Sequence, residues 1–390
     1  MIYLDNQATT PVDPRVVAAL LPLLSENFAN AGSITHEGGR QVALMVAEAI
    51  ESIAREIGAG DDEVVITSGA TESNNLALIG YATHPRQTRR KVISCVTEHR
   101  ALLDPLKRLE QLGFEIVMLP VRANTHQAAG TIDLDQLADV IDENTCMVSI
   151  MLVNNEIGTL QPLKDIAPIC RRHDVILHTD ATQAVGKLPI DVNQLDVDLL
   201  SFSAHKFYGP KGVGGLYVRR SPRRVRLQAQ IVGGGQQDNR RSGTLNSPGI
   251  VAMAKALSLC SELAAEERPR IAGLRSSLYA QLHSEIPELT LNGPCIENSS
   301  LRIEGNLNCS FMPVEGQSLM MAVPDLAVSS GSACTSTEPR PSHVLRAIGL
   351  SDEAARSSLR FGIGRFTTST EIDQAARALV AAHQALRKLI

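Results

Sequence analysis

The sequence lacks an excess of positive charge: 37 Lys and Arg stand against 42 Asp and Glu in 390 residues, a net charge of −5. That balance argues against a general nucleic-acid binder held by counterion release and leaves a small molecule or a protein as partner. No apolar run approaches the roughly 20 residues that a membrane-spanning helix needs; the run 146–153 is broken by Ser149. Residues 1–10 show no basic patch followed by an apolar stretch, so neither a secretory leader nor a membrane span is expected. Cys-x-x-Cys pairs are also missing. The seven cysteines, at 95, 146, 170, 260, 295, 309 and 334, are scattered. That spacing makes no metal site and fits a reducing, cytoplasmic setting with mostly buried thiols. Tryptophan is absent and aromatics are scarce, yet hydrophobic residues at 44% against 20% charged residues supply a sizeable core. Nothing in this composition signals disorder.

What is present has a clear grammar. Val42, Met45, Val46, Ala49, Ile50, Ile53 and Ile57 recur at helical spacing, and Gly58 and Gly60 follow them. From there, β-rich runs at 64–67, 91–96, 114–119, 147–153, 175–179, 199–203 and 214–218 alternate with helical stretches. This alternation predicts an α/β fold with a mostly parallel sheet flanked by helices. After about residue 260 the pattern changes to helices, a segment at 299–311 and helix again, which predicts a second, smaller α+β domain. Thr368 and Glu371 form a capping-box pair that should start the last helix.

Three segments carry chemistry. Ser203-Ala204-His205-Lys206 follows an apolar strand, whose end in such a sheet faces the ligand crevice. Alone, Lys206 reads as a solvated surface lysine. In His178-Thr179-Asp180-Ala181, however, an acid ends another strand 26 positions before Lys206, at the same edge of the sheet. Pyridoxal phosphate demands such a pair, an amine to carry it and an anion to keep its pyridine nitrogen protonated. The bland reading of Asp180 is a helix N-cap. The third segment, Thr67-Ser68-Gly69-Ala70-Thr71-Glu72-Ser73-Asn74, leads from a strand into a helix. Small residues and free N–H groups there suit a phosphate, while an ordinary capped turn is the alternative. His99 also follows a strand, although a lone histidine is more often structural.

Together with Thr97-Glu98-His99 and Val153-Asn154-Asn155-Glu156-Ile157-Gly158, these motifs resemble the fold-type I pyridoxal-phosphate enzymes, specifically the NifS/IscS-type cysteine desulfurases of the class V aminotransferase family. The resemblance runs in order from Tyr3-Leu4-Asp5-Asn6 to Arg365-Phe366-Thr367-Thr368. It implies a large domain at 11–258 around a seven-stranded sheet, and a small domain made of 1–10 and 259–390. It further implies that Lys206 carries the cofactor, Asp180 pairs with the pyridine nitrogen and Gln183 touches the phenolic oxygen. Asn155 would lie beside that oxygen and the substrate carboxylate, and His99 would stack on the ring and move protons. Ala70, Thr71, Ser203 and His205 would hold the phosphate, with Thr244 completing the site of the neighbouring copy in a homodimer. Arg360 would orient the carboxylate of L-cysteine, with Asn30 as a further substrate contact. Ala31 stands where the family has proline, which loosens the segment around Asn30.

The segment Ser329-Ser330-Gly331-Ser332-Ala333-Cys334-Thr335-Ser336 is small and polar on both sides of its thiol, so it should form a surface loop. Cys334 is then the expected nucleophile. It would take the substrate's sulfur as a persulfide, release alanine and pass the sulfur to an acceptor such as an iron–sulfur scaffold. No resident metal is expected, beyond a transient hold of Cys334 on a cluster. Pro339 is an extra proline on the far side of this loop. Arg219, Arg220, Arg223, Arg224 and Arg226 form a basic run, read either as a solvated face or as a dock for an acidic accessory protein. The last helix runs to Ile390, so scaffold docking through a further tail, as in some relatives, is not expected. The rival readings are a selenocysteine lyase, an aminotransferase of the same fold, which needs no loop thiol, and a non-enzymatic sulfur carrier, which needs no Lys206–Asp180 pair.

Overall fold

In the computed structural model, residues 1–330 and 341–390 are described; the expectations for Cys334 and Pro339 lie outside them. Strands β2 (Val64–Thr67), β3 (Lys91–Cys95), β4 (Glu115–Leu119), β5 (Thr145–Ser149), β6 (Ile176–Asp180), β7 (Leu199–Ser203) and β8 (Gly214–Val218) form one seven-stranded sheet. Their order is β2-β8-β7-β6-β5-β3-β4. All neighbours are parallel except β8, which runs antiparallel to both β2 and β7. Apart from β4, every strand is buried along its whole length, as expected where helices cover both faces. For that reason these segments read as apolar runs rather than as alternating patterns.

The ends of the adjacent parallel strands β6 and β7 set the site, since Asp180 closes β6 opposite Ser201 of β7. One hydrophobic core packs one face of this sheet and draws on residues from Val16 to Cys260, joined by Ile303, while Val65, Val92, Met147, Ile176 and Leu199 pack the other face against Leu76 and Leu102. A second core gathers Leu4 with residues from Leu278 to Leu379. It is built on β9 (Thr290–Leu291), β10 (Asn306–Ser310) and β12 (Ser358–Gly362), with a parallel pair of β1 (Ile2–Tyr3) and β11 (Leu326–Ala327) beside it. The 39-residue helix Ser247–Glu285 joins the two cores, with Ile250, Met253 and Leu257 in the first and Leu278 and Leu282 in the second. It continues through Pro269 rather than ending near residue 260. This helix is long and apolar enough by composition to cross a membrane, but half of its most apolar window is packed inside the protein. The last helix, Ser369–Arg387, begins with the Thr368–Glu371 capping box.

The basic run is largely neutralised within the fold. Arg219 is buried against Asp196 and Asp198, Arg220 pairs with Asp62, and Arg223 pairs with Asp174. Only Arg224 and Arg226 of the five are exposed without an ion pair among the described residues.

Candidate active site

Strand ends and a helix start converge on a cavity of about 410 Å³. The chain leaves β7 in a single 3-10 turn, Ala204–Lys206, which turns His205 and Lys206 toward this space. The N-terminal segment grips that turn: Thr10 N–H donates to the His205 carbonyl, and Lys206 Nζ donates to the Gln7 and Ala8 carbonyls, both at 2.7 Å. Asp180 lines the same cavity and is only 5% exposed. Two donors fix its carboxylate, Asn74 Nδ2 on Oδ2 at 2.7 Å and the Thr182 amide on Oδ1 at 2.9 Å. A buried, rigidly held carboxylate facing an amine across one cavity is what a protonated aromatic nitrogen on an amine-borne ring requires.

Beyond Lys206, the wall is built for an anion. The helix Ala70–Ala82 begins at Gly69, which has φ +147° and no side chain to cap the first N–H groups. Those groups and the helix dipole therefore act on the space beside Ser203, whose Oγ would lie 3.4 Å from a Cβ added at Gly69. Lys206 and Lys211 stand nearby, and His205 is bonded through Nδ1 to Thr9 Oγ1 at 3.1 Å. Burial, followed by the charges of Lys206, Lys211 and Lys187, pushes His205 down to about 4, so its ring is neutral. One end of the cavity is thus cationic with open amides, and the other carries Asp180. This donor set fits pyridoxal phosphate, with its phosphate at the helix start and its ring nitrogen at Asp180.

His99 caps the helix Arg100–Gln111, its Nδ1 accepting from the Ala101 amide at 3.1 Å. Burial lowers its pKa, with Lys206 acting in the same direction and Asp180 against it. A neutral ring with Nδ1 occupied carries its proton on Nε2. Arg360, 1% exposed, donates from Nη2 to Asp5 Oδ1 at 2.7 Å and from Nη1 to the Asn155 carbonyl at 3.1 Å. Asp5 therefore occupies part of the fork that a substrate carboxylate would meet. Gln183 donates from Nε2 to the Gln7 carbonyl and accepts at Oε1 from Lys187 Nζ.

The fold brings Ala70, Thr71, His99, Asn155, Asp180, Gln183, Ser203, His205, Lys206 and Arg360 onto one cavity. Two residues named from the resemblance lie elsewhere in this chain. Asn30 is exposed and turns its Oδ1 back onto the Gly32 amide, and Thr244 is exposed outside the cavity. Sequence reasoning missed Gln7, Asn74, Asp5 and Lys187. The partners of Gln7, Asn74 and Asp5 lie far away in the chain, so no local pattern marks these three. Gln183 alone hinted at Lys187, four residues on.

Comparison with known proteins agrees with this geometry. The family model described as Aminotransferase class-V matches residues 2–375. "Cysteine desulfurase IscS" of Rickettsia felis is 46% identical over all of this chain and 92% of its own length. Among solved structures, a "NIFS-LIKE PROTEIN" superposes with a TM-score of 0.88 at 33% identity, covering 99% of each chain. "SspA in complex with cysteine" gives 0.81 at 34% identity, covering 94% of this chain and 100% of that one. The chain belongs to the class V aminotransferase family, beside the IscS and NifS-like proteins.

Proposed function

We propose that this protein is a pyridoxal-phosphate-dependent cysteine desulfurase that converts L-cysteine to L-alanine and leaves the sulfur as a persulfide on Cys334. The observation that carries the reading is the placement of Lys206 and Asp180 on one cavity whose far wall is a helix start with open amides. The IscS name of a relative 46% identical over the whole chain and a cysteine-bound structural relative supply the substrate. When bound, the cofactor provides an electron sink for the bonds at the substrate's α- and β-carbons.

The chain's own residues do the rest. Lys206 supplies the amine that carries the cofactor and then moves protons together with His99. Asp180 keeps the ring nitrogen protonated, while Gln183 and Asn155 face the phenolic oxygen. Ala70, Thr71, Ser203 and His205 bind the phosphate, and Thr244 is offered to the site of a second copy in a homodimer. Arg360 receives the substrate carboxylate. The Cys334 thiolate attacks the substrate sulfur, the carbon–sulfur electron pair stays with the carbon skeleton, and protonation of that carbon yields alanine. The persulfide is then passed to a sulfur acceptor in the cytoplasm, such as an iron–sulfur scaffold. Residues 11–258 act as the cofactor-binding domain, and 1–10 with 259–390 as the smaller one.

The test is incubation with L-cysteine, with and without a thiol reductant, for wild type and Cys334→Ala. Wild type should form alanine and persulfide in equal amounts and release sulfide on reduction. Equal turnover by Cys334→Ala would overturn the reading.

A further inference from the structure

Lys187 lies outside the cavity of Lys206 and Asp180. It lines a second cavity of about 340 Å³ between the two cores, walled by Ile57, Leu257, Ile271 and Ile363. Its Nζ makes one hydrogen bond, to Gln183 Oε1 at 2.7 Å, and pairs with no carboxylate among the described residues. The carboxylates on that cavity are otherwise engaged: Glu267 holds Arg365, Glu304 holds Arg268, and Glu56 accepts from Ser261. A half-buried ammonium without a counterion costs stability. Its one hydrogen-bond partner among the described residues is a side chain of the proposed cofactor site.

The geometry points to Lys187 as a positioning residue that, together with the Gln7 carbonyl, holds the Gln183 amide with Nε2 toward the cofactor. An amide side chain has nearly equal ends, and only its partners decide between oxygen and nitrogen. Here both ends are decided. A lysine ammonium can only donate, so the end that it meets must be Oε1. The Gln7 carbonyl can only accept, so the other end, at 2.9 Å, must be Nε2. The same carbonyl receives Lys206 Nζ at 2.7 Å, which places Nε2 beside the cofactor-bearing amine. Nε2 has two hydrogens, and one remains for the cavity. A phenolic oxygen that ionises needs a donor there, and a flipped amide would present a second acceptor instead.

Burial, with Lys206 and Arg360 adding like charge, pushes the Lys187 ammonium down to about 7. The donor-only lock belongs to the ammonium, because a neutral amine also accepts; once the proton is lost, the Gln7 carbonyl alone still tells the two ends apart.

This inference rests on the pyridoxal-phosphate reading and is tested on the holoenzyme through the cofactor's visible absorption band as a function of pH. Losing a donor to an ionising oxygen raises its midpoint, so Lys187→Met should move the titration upward by about one pH unit. Lys187→Arg should restore the wild-type midpoint. In a Gln183→Ala background, Lys187→Met should add nothing further, because its effect runs through that amide. A Lys187→Met titration that overlays wild type, or an equal shift in the Gln183→Ala background, overturns the role of Lys187 and leaves the cofactor assignment standing. A wild-type protein that takes up no visible band from added cofactor overturns both.

Discussion

At the residue scale, the site depends on holding charges that water would otherwise disperse. Asp180 keeps its orientation through Asn74, which is fully buried and whose own Oδ1 has no partner. Asn74→Ala removes a charge-assisted donor worth about 1.5–3 kcal/mol, so cofactor affinity should fall roughly ten- to hundredfold. Equilibrium binding of pyridoxal phosphate to the apoprotein checks this, and an unchanged affinity would mean that the Thr182 amide suffices. Glu98, next to His99, makes a second prediction. Burial pushes its carboxyl up to about 8, against the hydrogen bond from the Met151 amide and with the Asp180 charge adding to the shift. The folded state therefore keeps a proton that the unfolded chain gives up at ordinary carboxyl pH. The stability that this group contributes is complete below pH 4.5 and is lost as pH rises through about 8. Glu98→Gln has the shape of the protonated acid and no titration, so its melting temperature should fall less than that of wild type between mildly acidic and mildly alkaline pH. Parallel thermal melts across that range decide the matter.

At the scale of elements, the helix start at Gly69 is the proposed seat of the phosphate. A φ of +147° with ψ of 179° is almost closed to other residues. A Cβ there would meet Ser203 Oγ at an ordinary 3.4 Å, so the cost of Gly69→Ala lies in the backbone rather than in a clash. With about 1–3 kcal/mol of strain concentrated at the cup, cofactor affinity should drop roughly five- to hundredfold while the fold survives. Wild-type affinity in this variant, measured by the same titration, would remove the helix start from the cofactor site. Elements were also what the sequence disclosed best. Six of the seven sheet strands stood out as largely apolar runs because both faces are covered, the edge strand β4 being the exception, and the Thr368–Glu371 box marked its helix correctly. The strand order did not show, because it depends on crossovers rather than on local pattern. Lys206, Asp180 and Ser203 could be picked out as polar residues ending apolar strands. Asn74 and Asp5 could not, since their partners Asp180 and Arg360 lie 106 and 355 positions away.

At the scale of the whole molecule, the question is what holds two separate cores to one site that uses both. Arg360 stands on β12 of the second core, whereas Asp180 and Lys206 belong to the first, so a small relative shift would separate them. Arg365, just past β12 and only 4% exposed at its side chain, is one such tie. It bonds Asp13 Oδ2 at 2.9 Å and Glu267 Oε1 at 2.6 Å, lies over the Tyr208 ring at 4.2 Å and donates its own amide N–H to the Tyr208 hydroxyl. Its partners in turn hold Asp13 well below the usual carboxylate range, with Arg15 the larger influence and Arg365 adding to it. Arg365→Met should cost about 1.5–3 kcal/mol, because it removes a charge-assisted bond to a carboxylate that is 1% exposed and leaves Arg15 as its one remaining cation. Glu267→Gln should cost less, since Arg365 keeps Asp13 in that variant. The ordering separates a tie between cores from simple loss of packing. In calorimetry, Arg365→Met should broaden or split the unfolding transition as the cores uncouple, whereas Glu267→Gln should keep a single peak. Equal losses with single peaks in both variants would mean that other contacts join the cores, among them the long helix Ser247–Glu285 and the Thr159–Arg302 bridge, and that Arg365 only fills space.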